Sequence, residues 1–335
     1  MQLTHRVHQL SLRCAAVLLV AGCLPAASSI AAQPAASYPE RPIRLVIPYP
    51  PGGTADLMGR IIGQKLADNW NRTVVIDNRG GAGGNIATEM VARAEPDGYT
   101  LLLCNAPVLA INPALYKKVS FDPVKDFAPV SPIAEVPLFL VVHPAVPVKN
   151  VGEFLDYVKS KRGDVNYASG SVGSTTHLAA ELFKTMAKVQ MNHIPYKGSG
   201  PALAALAGGQ VPIMFELMPS AMQFVKADRL RALAVTSGKR SPLMPALPTI
   251  AETGLPGYEV ASWFAVCAPA ATARAVVAKL NGEVVAIVKT PEMQERLASL
   301  GAQPLTLSPG QFAAFIKAEI VKWSKVVRDS GARVE

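Results

Sequence analysis

The chain has 335 residues, half of them hydrophobic and 17% charged, which is enough for a large core in one or two domains. Its formal charge of +9 comes from lysines and arginines placed singly or in pairs, with no basic stripe and no interleaved aromatics. That excludes a nucleic-acid surface and leaves an attraction for anions. Four cysteines without CxxC spacing or a neighbouring histidine cluster exclude a zinc site.

At the N-terminus, Arg6 and Arg13 precede the apolar run Cys14–Leu24, and small residues follow. This is the pattern of a secretory signal, assigned here to residues 1–32 and set aside from fold reasoning. Its removal takes away two positive charges and no negative ones, leaving about +7. Val20-Ala21-Gly22-Cys23 also fits a lipoprotein signal cleaved before Cys23, which would tether the same domain to a membrane surface. No later apolar run has the length of a spanning helix, so the mature protein is expected to be exported and soluble.

Ile43–Pro48 is a short β-rich run, Tyr49–Gly53 a turn cluster, and from Thr54 an amphipathic pattern begins with Leu57, Ile61, Leu66 and Trp70 on one side. Strand, tight turn and helix leave the first helical N–H groups pointing at the turn, ready for a carboxylate or phosphate. Asp56 would cap some of them. The P-loop pattern is absent. Arg72–Asn78 is a second strand, Arg79–Gly84 a glycine-rich loop, and Asn85 a candidate N-cap for a helix carrying Ile86, Met90 and Ala94. Tyr99–Cys104 is a third strand, ending at Asn105. The β-α-β-α-β spacing predicts a parallel sheet, whose ligands sit at the carboxyl ends of the strands.

Residues 106–135 read as proline-broken and irregular, and Val136–His143 as a strand. A second α/β unit follows: a helix at Val151–Ser160, a strand into Ala168, then the loop Ser169–Ser174 before a helix with Leu178, Leu182, Phe183 and Met186 on its apolar face. This loop repeats the design of Pro51–Thr54, a second anion-ready helix start. Strands at Gln190–Tyr196, Val211–Phe215 and Leu230–Thr236 alternate with helices through Leu206 and at Pro219–Ala227. Lys197 and Glu216 fall at strand ends on the same rim. Pro242–Gly257 is a connector, Tyr258–Pro269 a long strand, and helices follow at Arg274–Lys289, Pro291–Leu300 and Pro309–Ser330. In the last of these, Phe312, Phe315, Ile316, Ile320, Trp323 and Val327 form a core or interdomain face. Cys104 and Cys267 lie in apolar strand-like runs and read as buried thiols, with a disulfide as the alternative.

The segments YPERPIRLVIPYPPGGTADLMGR, NRGGAGGNIA, PDGYTLLL, INPALY, NYASGSVGSTTHLAAELF, IPYKGSGPALAALAGGQV, LRALAVTSGKRSPLMPALPTIAETGLPGYE and SWFAVCAP together resemble the Bug (Bordetella uptake gene) family. These are the periplasmic solute-binding receptors of tripartite tricarboxylate transporters. The resemblance implies a two-domain Venus-flytrap α/β fold of the periplasmic-binding-protein kind, with a ligand cleft between domains joined by two crossover strands. The domains would be residues 38–139 plus 263–335, and residues 140–262. It implies capture of a small organic carboxylate and delivery to two permease subunits in the membrane. Carried onto this chain, the grip would be Pro51, Gly52, Gly53 and Thr54 with Ser169, Gly170, Gly173, Ser174 and Thr175. Asn105, Lys197 and Glu216 would line the distal end and Trp263 a wall. The family's frequent Met-Phe-Asp is Met214-Phe215-Glu216 here, so the longer acid would meet a ligand ammonium or narrow the pocket.

Helix-start amides and hydroxyls would hold the anion by charge-assisted hydrogen bonds, with no cofactor, no metal and no proton transfer. A monomer without enzymatic activity is expected. Two competing readings stand beside it: a ligand-sensing partner of a membrane signalling protein, and an exported hydrolase using Ser174 and His177. Against the hydrolase, no acid orienter is evident and no GxSxG elbow is formed.

Overall fold

The computed structural model describes residues 37–332, which belong to one compact unit, Ala35–Glu335. The signal segment and Cys23 lie outside the described residues. The chain opens as its pattern demands: β1 (Ile43–Ile47), α1 (Thr54–Trp70), β2 (Val74–Asn78), α2 (Asn85–Ala92) and β3 (Thr100–Asn105). β1 pairs in parallel with both β2 and β3, as right-handed β-α-β crossovers require.

Two details differ from expectation. The buried face of α1 is Ala55, Met58, Gly59, Ile62, Gly63 and Leu66, while Leu57, Ile61 and Trp70 are only half-buried. Glycine carries no hydrophobic signal, yet a β-carbon on Gly59 would stand 2.5 Å from Ile47 Cδ1, and one on Gly63 2.8 Å from Ile76 Cδ1. The helix lies on the sheet through its two bare positions. At α2 the N-cap is Gly84, preceded by a 3-10 turn at Ala82–Gly84. Asn85 Oδ1 instead accepts from Asn112 Nδ2 at 2.7 Å.

The region read as irregular is ordered. A π-helical turn (Pro107–Ile111) leads into α3 (Asn112–Leu115), and β4 runs sixteen residues, Phe127–Val142, through Pro129, Pro132 and Pro137. Proline cannot donate to a ladder, and the register of β4 shifts between Pro129 and Ser131 and again between Pro132 and Ala134. Pro129 and Pro132 are absorbed at these bulges, where a missing N–H costs least.

The second unit comprises α4 (Val151–Ser160), β5 (Asn166–Ser169), α5 (Thr175–Ala187), β6 (Asn192–Pro195), α6 (Ser199–Ala207), β7 (Ile213–Leu217), α7 (Met218–Lys226) and β8 (Arg231–Val235). β9 (Ala261–Pro269) then returns, followed by α8 (Arg274–Lys289), α9 (Pro291–Ser299), β10 (Gln303–Pro304) and α10 (Pro309–Ser330). The strand order β2-β1-β3-β9-β4-β7-β5-β6 joins both halves, with β8 and β10 also on β4. The first part of β4 pairs antiparallel with β9, and its last five residues pair with β7 and β8. Thr236 stands where the chain crosses: Leu138 N donates to its hydroxyl at 2.8 Å, and that hydroxyl donates to the Val260 carbonyl at 2.6 Å. The result is a two-lobed α/β fold with two crossover segments.

Cys104 and Cys267 are joined in a disulfide between β3 and β9, with Cα atoms 6.0 Å apart. The reading as free buried thiols is thus corrected. Antiparallel pairing brings residues 163 positions apart into neighbouring register, which composition alone does not reveal. Trp263 is also corrected. In β9 it alternates with Ser262 and Phe264 and faces α10, packing on Phe312 and Phe315 and donating its indole N–H to Glu319 at 3.0 Å. Trp323 donates to the same oxygen at 2.9 Å, so the buried Glu319 is satisfied by two indoles.

Candidate functional site

Three helix starts meet at one cavity. Its walls are Gly53–Ala55 at the head of α1, Ser174–Thr176 at the head of α5, and Gly198–Ser199 at the head of α6. Tyr49, Pro50, Asn105, Pro107, Gly170, Ser171, Leu217, Ser262 and Phe264 complete a narrow cavity of about 50 Å³. No lining side chain carries a charge.

The glycines explain how three helix heads come so close. Gly53 faces Ser199 Cβ at 3.5 Å, and Gly170 lies against the Ser199 amide at 3.2 Å, both measured from the β-carbon each lacks. The Gly198 amide donates to the Gly170 carbonyl at 2.6 Å, tying the α6 start to the α5 loop. At the head of α5, Ser174 is the N-cap: its hydroxyl accepts from His177 N at 3.2 Å and donates to the Ser171 carbonyl at 2.7 Å. That leaves the Thr175 and Thr176 amides, at the positive end of the helix, without a partner among the described residues. Neither α1 nor α6 has a side-chain cap. Asp56 does not cap α1; it accepts from the Gly52 amide at 3.1 Å and pairs with Arg60 at 2.9 Å. Burial pushes the Asp56 carboxyl up, and these hydrogen bonds together pull it below the usual carboxylate range.

Of the residues nominated from sequence, Gly53, Thr54, Asn105, Gly170, Ser174 and Thr175 line this cavity. Asn105 Oδ1 is engaged by Tyr49 Oη at 3.4 Å and Val108 N at 3.3 Å, neither of which uses its NH2 group. Pro51 is exposed at the turn, and Gly52 lines a separate recess with Arg60, Lys226 and Arg296. Lys197 is exposed in an adjoining recess with Gly80–Gly84 and Tyr116. Ser169 and Gly173 stand behind the lining: Ser169 is fully buried, and a β-carbon on Gly173 (φ 77°) would meet Leu115 Cδ2 at 2.1 Å. Glu216 lies beneath the lining. It is completely buried, with Oε1 2.6 Å from Ser220 Oγ and Oε2 without a partner. Burial raises its carboxyl to about 7 against the opposing pull of the Ser220 and Ser199 hydroxyls. Glu216 is therefore no solvated rim charge.

Ser171, Ser199, Ser262 and Phe264 escaped sequence reasoning. Ser199 had a signal, since Gly198-Ser199-Gly200-Pro201 repeats the Gly/Ser-then-helix pattern used to find Ser174.

Behind the α5 head, His177, His193 and Tyr167 form a stack, the two imidazoles 3.9 Å apart. His177 Nδ1 accepts from the Gly173 amide at 3.1 Å, and His193 Nε2 is 2.6 Å from Ser169 Oγ. An imidazole that accepts from an amide is neutral at that nitrogen. Burial, helped by the Lys184 charge, lowers His177 from its ordinary 6.5 to about 4. Burial and then His177 lower His193 to about 3. The His177 ring thus holds the loop and cannot take a proton from Ser174, whose own proton goes to Ser171. The folded state binds fewer protons here than the unfolded one. The stabilising contribution of the pair is complete above about pH 6.5 and is lost as the pH falls toward 4. Melting temperature should decline across that window; a flat profile would contradict the buried neutral stack.

Among the described residues no helix is long and apolar enough to cross a membrane, and no group of three His, Cys, Asp or Glu is placed to hold a metal.

Residues 58–332 match the family described as "Tripartite tricarboxylate transporter family receptor". The chain is 39% identical to Protein BugT of Bordetella pertussis over 321 residues, covering 95% of this chain and 98% of that one. Among solved structures it is similar to Rpa4515 of R. palustris with adipate, at 40% identity and a TM-score of 0.87, covering 89% of this chain and all of that one. It is also similar to MatC (Rpa3494) from Rhodopseudomonas palustris with bound malate, at 33% identity and a TM-score of 0.81, covering 87% of this chain and all of that one. The periplasmic binding protein BugD matches at 35% identity with a TM-score of 0.85, covering 89% of this chain and all of that one.

Proposed function

The chain belongs to the receptor family of tripartite tricarboxylate transporters, and we propose that it captures a small organic carboxylate in the three-helix cavity and hands it to the permease subunits of such a transporter. The observation that carries this reading is the convergence of the α1, α5 and α6 starts on a cavity with no charged lining. Unpartnered first-turn amides at positive helix ends hold an anion without a counter-cation. The Ser174–His177 pair is not wired as nucleophile and base, since the Ser174 proton goes to Ser171 and His177 Nδ1 accepts from Gly173, which supports binding and release over hydrolysis. That two relatives hold adipate and malate supports the carboxylate class.

Residues 38–139 with 263–335 would form one lobe and residues 140–262 the other, with opening and closing about the crossover held by Thr236. The receptor would act as a monomer in the periplasm, after removal of residues 1–32 or with a lipid on Cys23. The Cys104–Cys267 disulfide suits that oxidising compartment.

The test is thermal unfolding of ligand-stripped mature protein against a panel of carboxylates. A ligand at about 100 times its Kd should add roughly 2.7 kcal/mol, a shift of several degrees. A panel of mono-, di- and tricarboxylates, amino acids and aromatic acids with no hit would contradict the reading. Normal import of the hit by a deletion strain would move the role from transport to sensing.

A further inference from the structure

Beneath the α1 side of the cavity three oxygens are wired in one direction. Ser220 Oγ lies 2.6 Å from Glu216 Oε1 and 3.1 Å from the Leu217 carbonyl oxygen. With Glu216 ionised, which burial confines to pH values above about 7, both partners accept, so the one proton of the Ser220 hydroxyl is spent on them. Thr54 Oγ1, 3.1 Å from Ser220 Oγ, must then be the donor in that contact. Its proton points away from the ligand space, and the oxygen it presents to the cavity has lone pairs only. The Ser199 hydroxyl, also on the lining, opposes the rise that burial gives the same carboxyl, without hydrogen-bonding Oε2. Glu216 Oε2 is fully buried and makes no hydrogen bond, so in the ionised form its negative potential falls on this end, where no lining group is charged. A buried acceptor left unpaired is costly unless something supplies a donor. The opposite end, at the α5 head, offers backbone amides, which only donate.

We propose that the cavity has two polar ends: the α5 amides take the carboxylate, and the Thr54–Ser199 end accepts a hydrogen bond, so the ligand is a carboxylate bearing an ammonium or hydroxyl group. Glu216 is the positioning residue that sets this polarity through Ser220. The inference rests on the carboxylate-receptor reading and narrows its ligand class. Thr54, whose hydroxyl the sequence offers as a donor to the ligand, becomes an acceptor here.

The experiment is calorimetric titration, at a pH above 7 so that Glu216 is ionised, of ligand-stripped protein with matched series: succinate, malate and aspartate, then glutarate, 2-hydroxyglutarate and glutamate. The wild type should bind the hydroxy or amino member of a series at least tenfold more tightly than the unsubstituted diacid. In Glu216→Gln the side-chain amide donates back to Ser220, which frees the Thr54 proton, and the preference should collapse or invert. Ser220→Ala interrupts the relay with Glu216 intact and should weaken the preference in the same sense; circular dichroism confirms that each variant is folded. An unsubstituted diacid preferred by the wild type, or a preference unchanged in both folded variants, would overturn the inference. Failure of the wild type to bind any carboxylate, in these series or the wider panel, would refute the receptor reading itself, and this inference with it.

Discussion

Gly170→Val should abolish ligand capture in a protein that still folds. Gly170 is buried between the end of β5 and the α5 loop. A β-carbon there would stand 3.2 Å from both the amide nitrogen and the hydroxyl of Ser199, and 3.4 Å from the Gly198 carbonyl carbon. The backbone φ at this position is not positive, so the substitution brings no backbone strain. Its effect falls on the seam between two helix heads, both of which line the cavity. Pushing the α6 start away removes its amides from the ligand and breaks the Gly198–Gly170 hydrogen bond. Hydrogen bonds to a charged group contribute roughly 1.5–3 kcal/mol each. Losing two should therefore cost about 3–6 kcal/mol of binding, roughly two to four orders of magnitude in Kd. Overpacking should cost about 1–3 kcal/mol of stability, less than the total for a domain of this size. Gly53→Ala is the contrast: its β-carbon makes only a 3.5 Å contact with Ser199 Cβ, so affinity should change little. Calorimetry on both variants checks the pair; wild-type affinity in the valine variant would remove the α6 head from the site.

The second large effect concerns stability. Cys104 and Cys267 close a loop of 163 residues. On the chain-entropy account a loop of that size restricts the unfolded chain by about 5 kcal/mol. The double variant Cys104→Ala/Cys267→Ala should lose several kcal/mol in denaturant unfolding, with part of the loss coming from the buried sulfur volume between β3 and β9. Reduction of the wild type should approach the same midpoint. A double variant as stable as the oxidised wild type would contradict the pairing.

Several helices were legible in the sequence because they carry explicit end signals. Asn150 accepts from Glu153 N at the head of α4, and Ser308 forms a capping box with Gln311 at the head of α10. Both starts fall where the pattern puts them. β4 was half-hidden because Pro129 and Pro132 read as breakers, and only pairing with β9 reveals that bulges hold them. The α1 face was misread by one helical row because Gly59 and Gly63 pack without contributing hydrophobicity. At the site, the first two helix heads were legible as glycine-rich turns before amphipathic runs. Ser262 and Phe264 were not: they enter from a strand whose distance in sequence hides its adjacency to β3, and Trp263 between them points the other way. The direction of the Thr54–Ser220–Glu216 relay was beyond reach of spacing altogether, since it follows from which atoms can only accept.

The central claim, that helix-start amides hold a carboxylate, is tested most directly by amide NMR during titration with whichever carboxylate stabilises the protein. The Thr175, Thr176 and Ser199 amide protons should move downfield together and saturate with the calorimetric Kd, as N–H groups taking on a charged acceptor do. Saturable binding that leaves those three amides unmoved, while resonances around Lys197 or Arg296 shift, would place the ligand elsewhere and contradict the account.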